Sequence, residues 1–335
     1  MTPEPRSVLI VRAQRCVLFA AALCLSVFAG ACGGPSADRV RSESAGSDSA
    51  REVASAQIAP ADTDDFGTPL PVDARHAQRV VSLNPAATEI IFAIGADSLL
   101  VGRSRWDEFP QGVERIMPVG DGIRPSIETV LSVRPTLVVL YATADNRSAA
   151  EALTRAGVRV VALRADRIAG FYALTRRLGT ALGAEARAQV VVDSVRGTLE
   201  RVRALTASLN VHPTVVWPVW ESPPMVIGGG SYMDELITIA GARNVFHDDS
   251  TSSPSVSIEE IVRRAPEFII TSADRVSVLQ QAPTWRVLPA VREGHFLRID
   301  NVLTGRPSVM LGMAAVHLAR LVHPSLADSL TDSPR

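Results

Sequence analysis

The chain contains no lysine, and its three cysteines, Cys16, Cys24 and Cys32, all lie within the first tenth of its 335 residues. The absence of lysine is uniform along the chain, because all 34 basic residues are arginine, so it carries no information about a ligand. The position of the cysteines is more informative. Residues after Cys32 can form no disulfide and no thiolate metal site, which excludes zinc fingers and similar centres from the body of the protein.

A strong net charge is also missing. The 34 arginines are balanced by 35 acidic residues, which gives a formal net charge of -1. No long-range field therefore attracts the molecule to nucleic acid or to anionic lipid. We therefore predict no nucleic-acid partner. With 47% hydrophobic and 21% charged residues, the composition is typical of a soluble globular protein, and the length allows two domains.

Metal-binding and cofactor motifs are absent as well. No two histidines have the i, i+4 spacing of a helical metal site, and only His247-Asp248-Asp249 places oxygen ligands beside an imidazole. The run Gly228-Gly229-Gly230 is not followed by the Lys-Ser/Thr pair of a phosphate loop. We expect neither a metal site nor a cofactor. The glycines predict a tight turn or a close approach of the backbone to a ligand.

No catalytic signature stands out either. The chain has serine, histidine and aspartate, but neither a Gly-x-Ser-x-Gly elbow nor a Cys-His arrangement. We predict that the chain is not an enzyme. Two other classes stay open at this point. They are a secreted lipoprotein hydrolase that uses Ser82 or Ser231 with a distant histidine, and a purely structural or adhesive lipoprotein.

The N-terminus does contain a pattern that is typical of an export signal. Three arginines precede an uncharged apolar run over residues 16–29, which has the length of a signal-peptide core and is too short to span a bilayer. The run ends in Ala29-Gly30-Ala31-Cys32, which resembles the lipobox of bacterial lipoproteins, although Ala29 stands where leucine is usual. We predict a signal peptide over residues 1–32, lipidation of Cys32, and a protein of the periplasm or cell envelope.

Ordinary signal cleavage near Ala31, which would leave the protein free in the periplasm, is the alternative. In both cases residues 33–78 follow, and they are rich in Ser, Ala, Asp, Glu, Gly and Pro without a sustained hydrophobic period. This composition predicts a disordered tether. Such a tether would hold a folded body away from the membrane.

The rest of the chain alternates short apolar runs with amphipathic stretches. Arg79-Val-Val-Ser-Leu83 predicts a strand, and the stretch from Thr88 to Gly95 predicts a helix. The same alternation continues to residue 166 and resumes over residues 210–325, which is typical of parallel sheets flanked by helices. Between them, residues 167–209 contain no proline and repeat apolar residues at helical spacing.

The predicted fold class is therefore α/β. It has two Rossmann-like lobes with parallel sheets, over residues 79–166 and 210–325, joined by a single long bridging α-helix within residues 167–209. Two abutting helices in the bridge, or one doubly wound domain with a helical insertion, are the alternatives. Ligands bind such folds at the carboxyl ends of the strands, where the loops 84–88 and 217–230 emerge.

Several segments, taken in order, resemble one family. They are Arg79-Val-Val-Ser-Leu-Asn-Pro-Ala-Ala-Thr-Glu89, Val101-Gly102 with Trp106-Asp107-Glu108-Phe109-Pro110, Val119-Gly120, Pro125-Ser-Ile-Glu128, Arg134-Pro135, Gly228-Gly-Gly-Ser-Tyr-Met-Asp-Glu-Leu236, Ala240-Gly-Ala-Arg-Asn-Val-Phe246, and Val256-Ser-Ile-Glu259 before Arg264-Ala-Pro266. This order resembles the solute-binding proteins of ABC importers for cobalamin, haem and ferric siderophores. The resemblance implies a monomer that captures a small ligand between two lobes. It implies delivery to a permease with its ATPase, and contact with the membrane only through the lipid anchor.

Within this family the aromatic loops are most like the cobalamin-binding branch, since Trp106 precedes Phe109-Pro110 and Trp220 precedes a glycine run. A corrinoid is neutral overall and decorated with amides, so it favours aromatic walls and a few hydrogen-bond donors. We predict cobalamin, with a ferric siderophore or haem as the alternative. Those ligands would require clustered arginine, or a tyrosine or histidine on iron. Asn301 and Arg306 depart from the cobalamin pattern, and Arg306 would suit an acidic ligand.

The residues predicted to bind the ligand lie in loops after strands. They are Asn84, Pro85, Trp106, Phe109, Tyr141, Trp220, Gly228, Gly229 and Arg306. Trp217 and Tyr232 are equally compatible with the core and with the pocket, as is Tyr141. In the family, one glutamate of each lobe meets arginines of the permease, and the resemblance assigns this role to Glu128 and Glu259. Both also lie near a helix start, where a carboxylate complements the helix dipole.

Overall fold

The computed structural model of the protein describes residues 63–70 and 78–330. The predicted signal peptide, Cys32 and most of the predicted tether lie outside these residues. Two four-stranded parallel sheets each form the centre of a lobe, so the α/β prediction with two lobes is confirmed. No helix in this described part is both long enough and apolar enough to cross a membrane.

The N-terminal lobe is built on a sheet whose two central strands are buried. Its elements are β1 (Val80–Leu83), α1 (Pro85–Ala93), β2 (Leu100–Arg103), α2 (Ile127–Ser132), β3 (Leu137–Tyr141), α3 (Ala144–Arg155) and β4 (Arg159–Leu163). The strand order is β2-β1-β3-β4. All residues of β1 and the first four of β3 are buried, as expected for central parallel strands covered on both faces.

The bridge consists of two helices, α4 (Ile168–Leu182) and α5 (Glu185–Ala207), which meet at Gly183 in the left-handed conformation. At 23 residues, α5 is about 35 Å long. Arg187 in its first turn lies against Gly95 of the N-terminal lobe. Near its other end, the Thr206 hydroxyl donates to the Ile239 carbonyl of the C-terminal lobe at 2.8 Å. The single long helix that joins the lobes is therefore α5, and the predicted bridge segment as a whole contains two abutting helices.

The C-terminal lobe is built on the strand order β10-β9-β5-β8, and a hairpin of β6 and β7 follows its first strand. Its elements are β5 (Thr214–Val216), β6 (Pro218–Glu221), β7 (Pro224–Val226), α6 (Tyr232–Ile239), β8 (Arg243–Asn244), α7 (Ile258–Arg264), β9 (Phe268–Thr271), α8 (Val276–Gln281), α9 (Pro289–Arg292), β10 (Phe296–Arg298), α10 (Asn301–Thr304) and α11 (Leu311–Val322). The hairpin, β8 and α8 to α10 were not predicted, because each is too short to show a hydrophobic period.

The two lobes repeat one topology. With the hairpin set aside, both sheets run in the order second, first, third and fourth strand of the lobe. In each lobe a helix capped by serine, Ser126 or Ser257, lies between the second and third strands. Each of these helices is followed by a left-handed residue before proline, Arg134 at φ 48° and Ala265 at φ 46°. The C-terminal lobe therefore repeats the N-terminal lobe with a hairpin inserted.

The lobes and the bridge also share one hydrophobic core. A continuous cluster of buried side chains includes Ile90 on α1, Leu199 on α5 and Leu318 on α11. Because protein interiors are closely packed, a shared core resists independent movement of the elements that contribute to it. The packing therefore favours a cleft that is formed before a ligand arrives.

Within the predicted tether of residues 33–78, residues 63–70 are ordered, and for these residues the prediction of disorder is corrected. The Asp64 carboxylate is 2% exposed and accepts hydrogen bonds from the backbone N–H groups of Phe66 and Thr68, at 3.0 and 2.7 Å. It also accepts a bond from the N–H of Ala162 on β4 at 2.9 Å. Charge-assisted bonds to backbone N–H groups stabilise a buried carboxylate. Composition does not reveal such bonds, and for this reason it predicted disorder for these residues.

The same segment covers the outer edge of the N-terminal sheet. The Asp65 N–H donates to the Ala162 carbonyl at 2.9 Å, and the Asp65 carboxylate accepts from the Arg164 N–H at 2.6 Å and from the Arg177 guanidinium at 2.7 Å. Since β4 is an edge strand, these bonds satisfy backbone groups that would otherwise be open to pairing with another chain.

Candidate ligand-binding cleft

A cleft of about 540 Å³ lies between the lobes, at the carboxyl ends of β1, β3 and β4 on one side and beside β6 and α6 on the other. This is the position where open α/β sheets bind ligands. The residues that line it are Asn84, Pro85, Ala86, Tyr141, Ala165, Asp166, Leu174, Val219, Ile227, Ser231, Tyr232, Met233, Ser252, Ser253, Gly305, Arg306 and Pro307. The structure thus brings together four of the nine predicted ligand-binding residues: Asn84, Pro85, Tyr141 and Arg306.

Asn84 and Pro85 shape the N-terminal wall of the cleft. Asn84 is the N-cap of α1, and its side-chain oxygen accepts from the Ala87 N–H at 3.4 Å. Its side-chain nitrogen donates to the Leu163 carbonyl at 3.1 Å. Pro85 is the first helical residue, where a missing N–H costs nothing and the fixed φ suits the helix. Both residues therefore fix the backbone at the carboxyl end of β1.

Tyr141 ends β3 and presents its ring to the cleft beside Asp166. Its hydroxyl donates to Asp166 Oδ1 at 2.8 Å, and the Arg164 guanidinium pairs with Asp166 Oδ2. Burial, together with the Asp166 charge, raises the pKa of Tyr141 to about 12. Tyr141 is therefore a neutral phenol near pH 7 that can accept hydrogen bonds, and it gives up its proton reluctantly.

Tyr232 and Ser231 form part of the C-terminal wall. The Tyr232 hydroxyl donates to the Thr304 carbonyl, and burial raises the pKa of this phenol. Ser231 is the N-cap of α6, where its hydroxyl accepts from the Met233 N–H at 3.1 Å. The Tyr232 N–H donates to the Asp166 carbonyl at 2.9 Å, which ties this wall to the opposite lobe.

Arg306 lines the cleft, but its charge is compensated within the protein. Its guanidinium pairs with Glu89 of α1, which belongs to the other lobe and is only 1% exposed. Burial raises the pKa of Glu89, while the Arg306 charge acts in the opposite direction. Arg306, the residue that would suit an acidic ligand, is therefore engaged in an internal ion pair. The sequence did not identify Glu89, although it stands in the Thr88-Glu89 motif that carries the family resemblance.

A second ion pair joins the lobes away from the cleft walls. Arg167, at the start of α4, pairs with Glu235 of α6 at 2.9 Å and donates to the Gly229 carbonyl at 2.5 Å. The Ile168 N–H donates to the other Glu235 oxygen at 2.7 Å. Together with Glu89 and Arg306, this pair fixes the relative position of the lobes at the base of the cleft.

Five predicted ligand-binding residues are not among those that line the cleft. Trp106 and Trp220 are 58% and 57% exposed, and Phe109 is half-buried. The remaining two, Gly228 and Gly229, face the loop 247–254. A side chain at either glycine would lie within 2.2 Å of a backbone carbonyl oxygen of that loop. Another backbone segment does approach these glycines closely, as predicted. That segment is the loop 247–254 of the protein itself, whereas the prediction also allowed a ligand.

The loop that carries Trp106 is held by a buried carboxylate. Asp107 is 2% exposed and accepts bonds from the Thr88 hydroxyl at 3.0 Å and from the Ser104 N–H at 2.9 Å. The Ser104 hydroxyl donates to Asp107 at 3.2 Å and accepts from the Trp106 N–H at 3.1 Å. Burial raises the pKa of Asp107 to about 6 despite these bonds. Trp217, by contrast, lies in the core at 4% exposure.

The two predicted docking glutamates occupy equivalent exposed positions. Glu128 and Glu259 each lie two residues after the capping serine of α2 or α7. Neither forms an ion pair with another residue in the described ranges. Glu260, next to Glu259, is instead paired with the two arginines that follow in the same helix. Glu128 and Glu259 thus present carboxylates at matching places in the two lobes, and no ion pair within the described residues engages them.

The serines considered for a hydrolase, and the residues considered for a metal site, have structural partners within the protein. Ser82 is fully buried and bonded to Thr88, and Ser231 caps a helix as described above. His247 is bonded to Asp234 at 2.7 Å, and Asp248 pairs with Arg264. Within residues 63–70 and 78–330, no three side chains of His, Cys, Asp or Glu lie close enough to hold a metal ion together.

Known proteins resemble this chain over most of its length. The family model described as "Periplasmic binding protein" matches residues 80–303. An uncharacterised ABC transporter substrate-binding lipoprotein of Bacillus subtilis, YvrC, is 26% identical over 93% of this chain and 98% of its own length. The vitamin B12-binding protein of Vibrio parahaemolyticus is 27% identical over 69% of this chain and 84% of its own length.

Solved structures share the fold. The periplasmic haem-binding protein RhuT of Roseiflexus superposes with a TM-score of 0.67 at 23% identity, over 74% of this chain and 98% of its own. The vitamin B12-binding protein BtuF of Vibrio cholerae superposes with a TM-score of 0.64 at 22% identity, over 74% and 97%. At these identities the likeness concerns the fold, and proteins with different ligands share it.

Proposed function

This chain belongs to the periplasmic binding protein family and is a substrate-binding component of an ABC importer, and from that premise we propose that it captures cobalamin. The family consists of transport components that are not enzymes. The observation that carries the proposal is the charge state of the cleft. Its two ionic residues, Asp166 and Arg306, are each paired with a partner of opposite charge within the protein.

A cleft with compensated charges favours a ligand that is neutral overall. Cobalamin offers peripheral amides, which can bond to the hydroxyls of Tyr141, Ser252 and Ser253 that line the cleft. The exposed Trp106 lies in the loop after β2 of the N-terminal lobe, and the exposed Trp220 lies on β6 of the hairpin that follows the first strand of the C-terminal lobe. We propose that they contact the part of a bulky ring that projects beyond the cleft, together with Phe109. Relatives named as vitamin B12-binding proteins support this choice.

Haem is the second candidate, because two tyrosines line the cleft and tyrosine can bind haem iron. The Tyr141 hydroxyl, however, would have to lose a proton to bind iron(III) as a phenolate. Its hydrogen bond to Asp166 would have to be given up or rearranged for that ligation. Cobalamin brings its own metal ligands and needs no tyrosine on its cobalt, so it can bind with the bond between Tyr141 and Asp166 intact.

The test is a ligand titration on the protein without its signal peptide, residues 33–335, which keeps the segment 63–70. Cyanocobalamin, hemin and an anionic ferric catecholate siderophore are titrated separately and followed by tryptophan fluorescence. We expect cyanocobalamin to bind with a Kd of about 1 µM or tighter, and each anionic chelate at least about tenfold more weakly. Tighter binding of hemin than of cyanocobalamin would replace the proposed ligand with haem.

We further propose that Glu128 and Glu259 dock the protein on its permease. Their equivalent positions, one in each lobe, match a partner that contacts both lobes. Their exposure and lack of internal ion pairs leave both charges available to arginines on the partner. The expected consequences of reversing these charges are given in the Discussion.

We also propose that the protein is exported and anchored through a lipid on Cys32. The relative of B. subtilis that matches 93% of this chain is named a lipoprotein, which supports the interpretation of residues 29–32 as a lipobox. Mass spectrometry of the mature N-terminus tests it. The expected product begins at Cys32 and carries a diacylglyceryl group, whereas an unmodified Cys32 would contradict the anchor.

A further inference from the structure

Two ion pairs cross between the lobes, and they occupy equivalent places in the repeated topology. In each lobe the helix after the first strand carries a glutamate, Glu89 on α1 and Glu235 on α6. Each glutamate pairs with an arginine that follows the last strand of the opposite lobe. Glu89 pairs with Arg306, which follows β10, and Glu235 pairs with Arg167, which follows β4.

The two pairs differ in burial and in their relation to the ligand. Glu89 is 1% exposed, and its partner Arg306 lines the cleft. In the second pair the side chains of Glu235 and Arg167 are 25% and 41% exposed, and neither residue lines the cleft. The topology thus supplies an internal comparison, in which only the Glu89–Arg306 pair can alter the charge that a bound ligand meets.

We propose that Glu89 determines ligand specificity without touching the ligand, by cancelling the charge of Arg306 and holding its guanidinium toward α1. The inference rests on the proposed function only for the identity of the preferred neutral ligand. An anionic group that enters the cleft near Arg306 must compete with a carboxylate that is already in place. It also meets the negative charge of Glu89, which is buried and therefore screened less by solvent than a surface charge.

The arrangement of Glu89 explains why it can compete so well. Its carboxylate is buried on a helix, so its position is fixed by the core and it needs no ordering to bind Arg306. A ligand carboxylate would have to be desolvated and positioned before it could replace Glu89 as the partner of Arg306. The pair therefore discriminates against acidic chelates and leaves the hydrogen-bonding groups of the cleft to select a neutral one.

The test replaces Glu89 with its uncharged isostere in residues 33–335 and uses cyanocobalamin and hemin, which carries two propionates, as probes. In Glu89→Gln the Arg306 charge is no longer compensated. We expect hemin affinity to rise at least about tenfold, with cyanocobalamin affinity changed by less than about threefold. Glu235→Gln is the matched control, since it neutralises the equivalent pair away from the cleft, and both affinities should stay at the wild-type value.

Two further variants separate charge from structural damage. In Glu89→Gln/Arg306→Gln the cleft is neutral again, so hemin affinity should return to the wild-type value. Arg306→Gln alone should not raise hemin affinity, because it removes the cation of the cleft and leaves the Glu89 carboxylate without its partner. This variant keeps the test valid if Glu89→Gln does not fold.

The outcomes distinguish this proposal from the proposed function. If wild-type protein does not bind cyanocobalamin but Glu89→Gln still raises hemin affinity relative to wild type, cobalamin is the wrong ligand and the role of Glu89 stands. Unchanged hemin affinity in Glu89→Gln would overturn the role of Glu89. So would an equal gain in Glu235→Gln, or a tenfold gain of hemin binding in Arg306→Gln.

Discussion

The two lobes share a strand order but differ in how they use buried charge. Of the four acidic side chains with 2% exposure or less in the described ranges, the N-terminal lobe and its attached segment contain three, Asp64, Glu89 and Asp107. The C-terminal lobe contains Asp234. Its sheet packs instead against large apolar groups such as the fully buried Trp285. Repetition of a topology therefore does not repeat the interactions that stabilise it.

This difference has consequences for both stability and function. Buried carboxylates make the N-terminal lobe sensitive to pH and to single substitutions, because Asp64 and Asp107 each hold several backbone or hydroxyl donors and Glu89 holds Arg306. The C-terminal lobe depends more on apolar packing, which varies little with pH. The outward faces of the lobes, by contrast, are matched, since each presents one free glutamate after a capping serine.

The largest expected effect tests whether these matched faces act together. In Glu128→Arg/Glu259→Arg the charges at both proposed docking positions are reversed, and like charges would then meet at the proposed contact with arginines of the permease. We expect uptake of labelled cyanocobalamin by the organism that makes the protein to fall at least about a hundredfold, with ligand affinity unchanged. If the lobes contribute equally, each single variant should lose a similar share of uptake.

The matched control for this prediction is Glu200→Arg, which reverses an exposed carboxylate on the bridging helix α5. Its uptake should equal that of the wild type. Normal uptake by the double variant would show that the two glutamates do not dock the protein. Lost uptake in only one single variant would show that one lobe dominates the contact.

The next effect concerns the edge of the N-terminal sheet. Asp64→Ala removes an acceptor of three backbone N–H bonds and leaves the Ala162 N–H of the edge strand without its partner. Because bonds to a charged acceptor contribute about 1.5–3 kcal/mol each and three are lost, we expect a loss of about 4.5 kcal/mol or more in the free energy of unfolding. Urea denaturation followed by circular dichroism measures it.

Asp300→Ala supplies the comparison in the C-terminal lobe. Asp300 caps the short helix α10 through one bond, to the Val302 N–H at 2.8 Å, so its loss should cost about 1 kcal/mol. Equal losses in the two variants would mean that the segment 63–70 contributes no more than an ordinary helix cap. The variant Asp64→Ala should also form dimers more readily, since an uncovered edge strand can pair with another copy.

Asp107 should make the stability of the N-terminal lobe depend on pH. Its pKa is about 6 in the folded protein against 3.8 for the unperturbed group, so the folded state favours the protonated form. The stabilisation that follows is complete below about pH 4 and is lost as the pH rises through about 6. From about pH 8 to pH 4, the wild type should therefore gain up to about 3 kcal/mol relative to Asp107→Asn.

The measurement is the difference in unfolding free energy between wild type and Asp107→Asn at several pH values. Using the difference removes the contribution of groups that titrate equally in both proteins. Asparagine keeps an acceptor for the Thr88 hydroxyl and the Ser104 N–H, so the fold should persist. A difference that is constant with pH would contradict the raised pKa.

The elements that the sequence predicted well are those with a long hydrophobic period. The apolar runs at β1 and β3 and the helical spacing over residues 168–207 carry the fold, because they fill the core. The order of short motifs then identified the family. By contrast, the hairpin β6–β7 and the two-residue strand β8 have too few residues for any period, and tertiary packing alone defines them.

The cleft was predicted less completely, for a reason that applies to both lobes. Residues at strand ends, such as Asn84 and Tyr141, can be placed from topology. The pairing of Glu89 with Arg306 joins positions 217 residues apart, and no local pattern indicates it. Asp64 shows the same limit, since a carboxylate in a polar segment resembles a solvated group until its backbone partners are known.

The smallest effect tests whether the second cross-lobe pair matters for stability. Arg167 and Glu235 are partly exposed, and solvent screens such pairs, so Glu235→Gln should cost about 1 kcal/mol or less. Glutamine can still accept the bond from the Ile168 N–H at the start of α4, which limits the loss to the charge itself. The remaining difference from wild type should shrink further in about 1 M NaCl, where the Debye length is about 3 Å. A larger loss, unaffected by salt, would mean that this pair holds the lobes together as firmly as the buried pair at Glu89, and the contrast between the two would fail.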